Sequence, residues 1–327
     1  MKIAVTIGVY NEEKNIENLI KSLLIQTRLP DEIIIVDDGS YDRTAHIIKK
    51  YTINNSNIEY IYQENRGPAA ARNKAWRNSK SDICIFTDGD CIPEKNWIEE
   101  LIKPFSNFKV GASAGRYTTL NDNNILAKFI GLEIAWRYRN VISEIDAHGT
   151  YNLAVKRNIL EEIGGLNESY PVPSGEDWDM TYKISQRYKI IYTPKAIVGT
   201  YHPEKFYCYM KNQVRRAYDR VKVYKDHPEM KKGDNYTPKI TKYQIIASGL
   251  FIPSIILFYP FFKFSYLIPF AIVLFLFLVA LWPFIYFAKK DVIIAFYSIP
   301  LQIIRNFAWF YGLVRGVLNI KYEKTKL

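Results

Sequence analysis

Cysteine is rare in this sequence of 327 residues, and an apolar leader is missing. Cys84, Cys91 and Cys208 form no CxxC pair and leave one thiol over from any disulfide. This count favours a reducing compartment and argues against a disulfide-stapled secreted domain. The first residues, MKIAVTIGVYNEE, turn acidic before any long apolar stretch develops, so we do not expect a signal peptide.

Acidic residues are scarce in the C-terminal part of the chain. The last 126 residues hold 7 Asp and Glu against 19 Lys and Arg, whereas the first 201 residues hold 26 against 25. The net charge of +11 is therefore concentrated after residue 201. Nucleic-acid binders carry their basic residues on a folded recognition surface. Here the basic residues flank apolar runs, which indicates contact with an anionic membrane face.

Two apolar runs follow each other closely. Tyr243–Phe262 is 20 residues without a charge and Phe264–Ala288 is 25 more, with Lys263 between them. Because a helix needs about 20 apolar residues to cross a bilayer, the runs predict a transmembrane hairpin; two buried helices of a soluble core are the alternative. Lysines before the first run, and Lys289 and Lys290 after the second, place the bulk of the chain in the cytoplasm.

The segments that flank this hairpin are also predicted to be helical. The apolar segment 291–318 is interrupted by Pro300, Arg305 and Arg315, and a third span would export the basic C-terminus, so we expect a re-entrant or in-plane helix. Segment 203–226 is predicted to lie on the membrane surface, or alternatively to pack on the N-terminal domain as an ordinary helix. Its apolar stripe is Phe206, Met210, Val214, Ala217, Val221 and Tyr224, opposite Lys205, Lys211, Arg215, Arg216, Arg220 and Lys222.

Strand and helix patterns alternate through the first 90 residues. The predicted strands are Ile3–Val9, Glu32–Val36, Ile58–Tyr62 and Ile83–Thr87, with helical patterns after each of the first three. Continuous Ile/Val strands joined by helices predict an α/β fold with a mostly parallel sheet and helices on both faces. Polar residues follow the strand ends, where open α/β sheets bind ligands.

Three carboxylates stand at these strand ends. Asp38 is placed to accept hydrogen bonds from a base or ribose, or alternatively to cap the following helix as a turn acid. Asp88 and Asp90 flank Gly89, so their oxygens can be directed at one point. Oxygen ligands of this kind select Mg²⁺ or Mn²⁺, ions that bridge phosphate oxygens.

A second acidic cluster follows a stretch rich in Pro and Gly. Glu176, Asp177 and Asp179 open a predicted helix, where they could interact with its dipole or supply a base for a hydroxyl acceptor. Arg72 and His202 are candidates for handling charge on a leaving group, and a structural role is the alternative for His202.

Taken in order, these motifs resemble those of family 2 glycosyltransferases, from Ile3 to about Arg220. The N-terminal matches are Val9-Tyr10-Asn11-Glu12, Val36-Asp37-Asp38-Gly39-Ser40, Asn65-Arg66-Gly67-Pro68-Ala69-Ala70-Ala71-Arg72-Asn73 and Asp88-Gly89-Asp90. Further matches are Gly149-Thr150-Tyr151-Asn152-Leu153-Ala154, Gly164-Gly165-Leu166 and Gly175-Glu176-Asp177. The resemblance implies a GT-A fold and an inverting, single-displacement transfer that uses Mg²⁺ or Mn²⁺ and a nucleotide sugar.

The resemblance also implies roles for single residues. Asp38 is expected to contact the nucleotide base, Asp88 the ribose, and Asp177 to act as the catalytic base, with Glu176 and Asp179 as further candidates. Asp90 is expected to bind the metal, and His202 matches a family position that can bind metal or phosphate. The implied donor-binding residues are Tyr10, Glu12, Asp38, Arg72 and Asp88.

One departure from the family pattern narrows the predicted function. Processive members carry QxxRW, whereas this chain has Ala217 in place of the Trp, after Gln213-Val214-Arg215-Arg216. A processive polysaccharide synthase is therefore disfavoured. Polyprenyl-phosphate mannose synthases are matched only through the early motifs, so a polyprenyl monophosphate acceptor stays open.

The sequence thus predicts a membrane-anchored glycosyltransferase that moves a sugar from a cytoplasmic nucleotide-sugar donor to a lipid-linked acceptor. The predicted parts are a catalytic domain 1–202, a basic juxtamembrane region 203–241, two transmembrane helices 242–290, and a membrane-associated helix with a basic tail 291–327. The alternatives are a polyprenyl-phosphate glycosyltransferase that primes a lipid carrier and a translocator with a nucleotide-binding domain. The translocator is disfavoured because both long runs lack ionisable residues. A nucleic-acid-binding module is disfavoured by the near-neutral first 201 residues.

Overall fold

The computed structural model describes residues 1–170, 175–233, 236–258 and 267–320, which form two compact units. The first unit contains Met1–Asn121, Asn140–Tyr201 and Tyr236. The second contains Asp122–Arg139, His202–Gly233 and the described residues from Thr237 onward. The segment Asp122–Arg139, inside the expected catalytic domain by sequence position, thus groups with the C-terminal helices.

One mixed sheet forms the centre of the first unit. Its strands are β1 (Ile3–Val9), β2 (Glu32–Asp37), β3 (Ile58–Tyr62), β4 (Ile83–Asp88), β5 (Cys91–Pro93), β6 (Val110–Thr119), β7 (Glu144–Ile145), β8 (Asn152–Lys156) and β9 (Lys189–Thr200). They lie in the order β3-β2-β1-β4-β8-β6-β9-β5, and β7 pairs with β9. The strand order reverses at β1, which places the carboxyl ends of β1, β2 and β4 side by side where such sheets bind ligands.

Helices cover both faces of this sheet, as expected. The helices of the first unit are α1 (Ile16–Leu24), α2 (Thr44–Asn54), α3 (Pro68–Asn78), α4 (Trp97–Ile102), α6 (Arg157–Ile163) and α7 (Glu176–Ser185), with a short 3₁₀ turn at Lys103–Ser106. Alternate residues of β2 point to opposite faces. Ile33 and Ile35 join the core that contains α1, while Ile34 and Val36 join Ala71 and Ala75 of α3.

The expectation of a mostly parallel sheet is wrong for the second half of the sheet. The pairs β1/β2, β1/β4 and β2/β3 are parallel, but β8 runs antiparallel to both β4 and β6. Strand β6 is parallel to β9, whereas β5 and β7 are antiparallel to it. The parallel pattern depends on a helical crossover after each strand. That pattern stops at β4, because β5 follows it after only two residues.

The transmembrane hairpin is not confirmed. The helices of the second unit are α5 (Ile125–Tyr138), α8 (Phe206–Asp226), α9 (Ile240–Phe258), α10 (Leu267–Ala280), α11 (Phe284–Ala288) and α12 (Val292–Val317), with a 3₁₀ turn at Pro228–Lys232. The run predicted as one helix to residue 288 breaks after Ala280, and α11 begins after Pro283, which has no backbone N–H to donate. Lys263, the predicted turn, lies outside the described residues.

By length and composition, α12 is the one described helix that could cross a membrane. Its 26 residues have a mean hydropathy of 1.3 in the most apolar window. This is the segment for which the sequence predicted a re-entrant or in-plane helix. Arg305, which interrupts its apolar sequence, is buried and paired with Glu133 of α5, so its charge does not stand alone.

The amphipathic register predicted for segment 203–226 is wrong. The side chains that α8 buries are Tyr209, Gln213, Ala217, Asp219 and Val223, whereas Phe206 of the predicted stripe is exposed. The helix packs on α12, and Gln213 accepts a hydrogen bond of 3.0 Å from Trp309 Nε1. A buried glutamine with a distant partner is invisible to a pattern built on apolar residues, which explains the shift.

Two glycines of α12 make the close contact with α8. A Cβ added at Gly312 would lie 2.2 Å from the carbonyl oxygen of Val214, and one at Gly316 would lie 2.8 Å from that of Tyr218. We expect Gly312→Ala to lower the free energy of unfolding by about 1–3 kcal/mol. The overpacking outweighs the gain of up to ~1 kcal/mol in helix propensity, because a backbone carbonyl cannot swing aside as a side chain can.

Thermal unfolding of the purified chain in detergent measures this effect. Val317→Ala is the matched control, since that side chain lies on the same helix and is 63% exposed. An unchanged or raised midpoint for Gly312→Ala would show that the two helices do not approach this closely.

Candidate active site

The loop after β1 joins the loop after β2. Asn11 takes a left-handed backbone conformation with φ of 56°. Its backbone N–H donates to Ser40 Oγ at 2.9 Å, and its side-chain oxygen accepts from the N–H of Tyr41 at 3.0 Å. Tyr10 is partly exposed and meets the Tyr41 ring edge-on at 6.2 Å. This arrangement holds the first motif at the ligand-binding edge of the sheet.

Asp38 is buried directly after β2, and its carboxylate organises the loop before α3. It accepts hydrogen bonds from Gln63 Nε2 at 2.7 Å, from the Arg66 N–H at 2.9 Å and from the Gly67 N–H at 2.8 Å. Three donors at these distances are typical of a carboxylate that fixes a loop. In this structure, Asp38 therefore has a structural function whatever it contributes to a ligand.

The carboxylates after β4 form a cluster with a neighbouring thiol. Single ligand atoms of Asp88, Asp90 and Cys91 lie within 4.8 Å of one another. Burial, and then the charge of Asp88, raise the pKa of Asp90 to about 6. A cation placed here would relieve the repulsion between the two carboxylates. The pair fits Mg²⁺ or Mn²⁺ through oxygen, since a soft sulfur ligand does not favour either ion.

Glu12 lies beside this cluster. A Cβ added at Gly89 would be only 2.9 Å from Glu12 Cγ, so the absence of a side chain at Gly89 lets Glu12 approach. Burial, with smaller contributions from Asp90, Asp88 and Asp42, raises the pKa of Glu12 to about 7, against the lowering effect of a hydrogen bond from Asn15. The edge of the sheet therefore concentrates negative charge that a bound cation would balance.

Arg72 joins the two acidic regions of the site. Its Nη2 donates to Asp88 Oδ1 at 2.6 Å, and its Nη1 donates to Glu176 Oε1 at 3.1 Å. Arg72 and Glu176 are both buried, with 7% and 2% of their surface exposed. The guanidinium thus ties α3 to the end of β4 and to the start of α7, and it positions the Asp88 carboxylate.

The three acidic residues at the start of α7 have different surroundings. Glu176 pairs with Arg72, and Asp179 is buried and pairs with Lys183 at 2.8 Å. Asp177 is half-buried, and its Oδ2 would be 3.2 Å from a Cβ added at Gly149. Of the three, Asp177 is the more accessible carboxylate, as expected for a residue that must reach an acceptor hydroxyl.

The rings of Tyr117, Tyr151 and His148 form a cluster next to the candidate site. Tyr117 and Tyr151 stack with centroids 3.5 Å apart. His148 is fully buried; its Nδ1 donates to the Gly149 carbonyl at 2.9 Å, and its Nε2 lies 3.1 Å from Tyr151 Oη. A Cβ at Gly149 would lie 2.6 Å from the Tyr151 ring. Gly149 therefore leaves space that both Tyr151 and Asp177 use.

We expect His148 to make the free energy of unfolding depend on pH. Burial lowers its pKa from 6.5 to about 4, so the neutral form is favoured in the fold. The unfolded chain therefore binds more protons between these values, and stability falls as the pH drops through this window. The expected loss is up to about 3 kcal/mol, because each pH unit between the two pKa values contributes about 1.4 kcal/mol.

Denaturant unfolding at pH 7 and near pH 4.5 measures this dependence, with His148→Gln as the test variant. The variant should show a smaller difference between the two pH values. His46→Gln is the control, because His46 lies on the exposed side of α2. An equal slope for His148→Gln and the unaltered chain would rule out this cause.

His202 begins the second unit. It is half-buried, and burial followed by the charge of Arg216 lowers its pKa to about 4. The ring is therefore neutral near pH 7, the state in which histidine binds metals. Asp88 and Asp90, the other residues expected at the donor diphosphate, belong to the first unit.

Sequence reasoning missed several side chains of the site. Cys91 follows Asp90 directly, but a cysteine next to carboxylates does not form a recognisable sequence motif. His148 and Tyr117 lie in segments without a motif, and only the fold brings them beside Tyr151. The Gly149-Thr150-Tyr151 motif itself was the one available signal for this cluster.

Comparisons with known proteins identify the family of the chain. The family model for glycosyl transferase family 2 matches residues 4–165. Glycosyltransferase AglE of Haloferax volcanii is 26% identical over 68% of this chain and 74% of its own length. Poly-beta-1,6-N-acetyl-D-glucosamine synthase of Staphylococcus aureus is 30% identical over 66% of this chain, which spans 53% of that protein.

A solved structure shares the fold. The mannosyltransferase PcManGT of Pyrobaculum calidifontis, solved in complex with GDP-Man and Mn²⁺, aligns with a TM-score of 0.64 at 18% identity. The alignment covers 98% of this chain and 88% of that protein. The fold is therefore GT-A. The chain belongs to glycosyl transferase family 2 and is a nucleotide-sugar-dependent glycosyltransferase.

Proposed function

We propose that this enzyme transfers a sugar, with inversion and with Mg²⁺ or Mn²⁺, from a cytoplasmic nucleotide sugar to a hydroxyl of a lipid-linked acceptor at the membrane face. The observation that carries the proposal is the Asp88 and Asp90 pair at the end of β4, tied through Arg72 to the acidic start of α7. These hydrogen bonds support the proposal, because they connect carboxylates that could hold a cation with the acidic start of α7, which carries the candidate base. The mannosyltransferase that shares the fold was solved with a nucleotide sugar and Mn²⁺.

The residues take the following roles in the proposal. Asp90 and Asp88 hold the cation, which neutralises charge on the donor diphosphate when bound, and Asp88 also accepts from the ribose. Asp177 accepts the proton of the acceptor hydroxyl as its oxygen forms the new bond to the anomeric carbon. The bond from that carbon to the diphosphate oxygen breaks in the same step, and the nucleoside diphosphate leaves with the electron pair. Further donor contacts come from Tyr10, Glu12, Asp38 and Arg72, and His202 is a second candidate metal ligand.

The membrane part of the proposal rests on the second unit. Helix α12 has the length and composition of a span, and α9 and α10 are apolar helices with exposed large side chains. Exposed apolar faces of this extent mark membrane or protein interfaces. Lysines 289 and 290 between the apolar helices favour the cytoplasmic side. Within this proposal, the catalytic domain is residues 1–202, the basic juxtamembrane region is 203–241, two transmembrane helices lie in 242–290, and the membrane-associated helix with its basic tail is 291–327.

A polyprenyl-phosphate glycosyltransferase is the second candidate. It would use the same donor site, and the likeness of fold to a mannosyltransferase agrees with either acceptor. The two candidates differ only in whether the acceptor oxygen belongs to a sugar or to a phosphate. Mass analysis of the lipid product separates them.

A donor screen tests the proposed function. The full chain in detergent is incubated with one nucleotide sugar at a time, a membrane-lipid extract and Mn²⁺, and release of nucleoside diphosphate is measured. We expect release with a single donor class and a strong increase when the lipid extract is added. Release that is independent of lipid, or equal with every donor, would contradict the proposal.

A further inference from the structure

The second unit contains a polar cleft among its apolar helices. The cleft is open on one side, and the space within it that is open to the centre of a water-sized group is about 20 Å³. It is bounded by α5, by the start of α9, by the end of α10 with the turn that follows, and by the middle of α12. Its polar lining consists of Glu133, Arg137, Thr241, Gln244, Gln302 and Arg305, and its apolar lining includes Trp136, Val279, Trp282 and Pro283.

Two arginines share one carboxylate in this cleft. Glu133 Oε1 accepts from Arg305 Nη1 at 2.5 Å and from Arg137 Nη2 at 3.1 Å. Burial alone would raise the pKa of Glu133, but Arg305 and Arg137 lower that pKa to about 2. The carboxylate is therefore ionised at neutral pH and is shared between two guanidinium groups. A buried guanidinium whose donors are not all satisfied gains from a further acceptor.

Arg305 has unused hydrogen-bonding capacity. It is 4% exposed, and its Nε is buried without a hydrogen-bond partner in the described part of the chain. The other side of the guanidinium lies 4.3 Å from the centroid of the Trp309 ring. Gln244 and Gln302, which are each 6% exposed, add amide groups to the same lining. Arginine with nearby amides is the typical set for recognising a phosphoryl group.

The surroundings indicate that the ligand also has an apolar part. Trp282 lines the cleft and is 63% exposed, and the outer residues Leu278 and Ile285 are 56% and 68% exposed. A water-soluble anion gains nothing from such neighbours, whereas a lipid chain would cover them. We propose that this cleft binds the anionic phosphoryl headgroup of a membrane lipid, with the lipid chain along the exposed faces of α10 and α11.

This inference rests on the proposed membrane location and not on the transfer reaction. The headgroup has two possible sources, a bulk anionic phospholipid and a phosphorylated lipid carrier. Three bilayers distinguish them: phosphatidylcholine alone, phosphatidylcholine with phosphatidylglycerol, and phosphatidylcholine with a polyprenyl phosphate. The full chain is reconstituted in each bilayer, and the lipid that stays bound is counted by native mass spectrometry.

Two kinds of variant make the test specific. Gln244→Leu with Gln302→Leu removes amide groups and leaves the Glu133 cluster intact; within the unit it removes a long hydrogen bond of 3.4 Å from Gln302 Nε2 to the Ala280 carbonyl, so we expect the fold to be retained. Arg305→Lys keeps the positive charge but loses the planar guanidinium group, which can form two parallel hydrogen bonds to a phosphoryl group. Lys289→Gln with Lys290→Gln removes two exposed charges of the same unit and serves as the control.

We expect anionic lipid to be retained by the unaltered chain and by the lysine control. Retention should fall about tenfold in the double glutamine variant, because two hydrogen bonds are lost. Preference for polyprenyl phosphate would identify a carrier as the source, and equal retention of phosphatidylglycerol would identify bulk lipid. The proposal is overturned if no lipid is retained from any bilayer, if the double variant retains as much as the unaltered chain, or if the lysine control loses as much.

Binding of nucleotide sugar by the same samples keeps this test separate from the proposed function. Donor binding depends on Asp88 and Asp90 of the first unit, and the glutamine variant should not change it. Loss of lipid retention with intact donor binding therefore reports on the cleft alone. A chain that retains lipid but binds no nucleotide sugar would contradict the proposed function and leave the cleft standing.

Discussion

Asp177→Asn is expected to lower the rate of sugar transfer by about 10²–10⁴-fold, the usual cost of losing a positioned base. The amide cannot accept the proton of the acceptor hydroxyl, so the attacking oxygen stays a weak nucleophile. Donor binding should be retained, because Arg72 keeps its hydrogen bonds to Asp88 and Glu176 in this variant. Transfer is measured as labelled product under saturating donor, and donor affinity is measured by calorimetry.

The neighbouring acids serve as matched controls. Asp179→Asn breaks a buried pair with Lys183, so it should lower the unfolding temperature with little effect on the transfer rate of the folded enzyme. Glu176→Gln weakens the Arg72 link to Asp88 and should weaken donor binding. If Asp177→Asn turned over normally while either control variant lost turnover, the assignment of Asp177 as the catalytic base would be wrong.

Asp90→Ala is expected to abolish metal-dependent transfer while the protein still folds. Removing this carboxylate takes away one of the two oxygen ligands of the Asp88, Asp90 and Cys91 cluster, and the soft Cys91 thiol does not replace it for Mg²⁺ or Mn²⁺. The fold should be retained because burial, and then repulsion from Asp88, raise the pKa of Asp90 to about 6, so its ionised carboxylate does not stabilise the fold. EDTA should inactivate the unaltered enzyme reversibly, with activity restored by added Mn²⁺.

Cys91→Ser is the control for this prediction. The substitution keeps the size of a buried side chain and removes the thiol, so metal-dependent activity should persist. Binding of Mn²⁺, followed by electron paramagnetic resonance, gives a readout that does not depend on turnover. Full activity of the unaltered enzyme in EDTA without added metal would contradict the metal prediction, as would unchanged Mn²⁺ binding by Asp90→Ala.

The first half of the sheet could be predicted closely from sequence. Strands β1 and β3 begin and end at the predicted residues, and β2 and β4 extend one residue further. Strands β1, β2 and β4 are buried along almost their whole length, so their sequences are rich in apolar residues, whereas β3 is an edge strand with partly exposed residues. Strand β6 carries Gly, Ser and Arg, and β8 pairs with β4 across some 70 residues, so neither has a comparable local signal.

The part of the candidate site that lies at the end of a single strand could be predicted from the sequence. Asp88 and Asp90 are two residues apart, so the end of β4 places them together whatever the rest of the chain does. The pair between Arg72 and Glu176 joins residues separated by 104 positions, and spacing cannot reveal it. The hydrogen bonds that surround Asp38 come from side-chain and backbone donors some 25 to 29 positions away, which the motif around Asp38 does not include.

In the apolar C-terminal segments, composition alone does not predict where a helix ends or whether a charged side chain has a partner. The run that ends at Ala288 satisfies a length criterion, but it is divided into α10, which ends at Ala280, and α11, which begins after Pro283. Helix α12 contains Arg305 and Pro300, which argued against a span, yet Glu133 of α5 balances the arginine. Pairing of this kind depends on tertiary structure and leaves no trace in hydropathy.

Transfer of labelled sugar to lipid tests the central claim most directly. The full chain in a bilayer that contains membrane-lipid extract receives a radiolabelled nucleotide sugar and Mn²⁺, and the label is partitioned between water and organic solvent. We predict that label enters the organic phase with the unaltered enzyme and not with Asp177→Asn. Label that stays in water, as free sugar or as a soluble glycan, while nucleoside diphosphate is released would contradict the account.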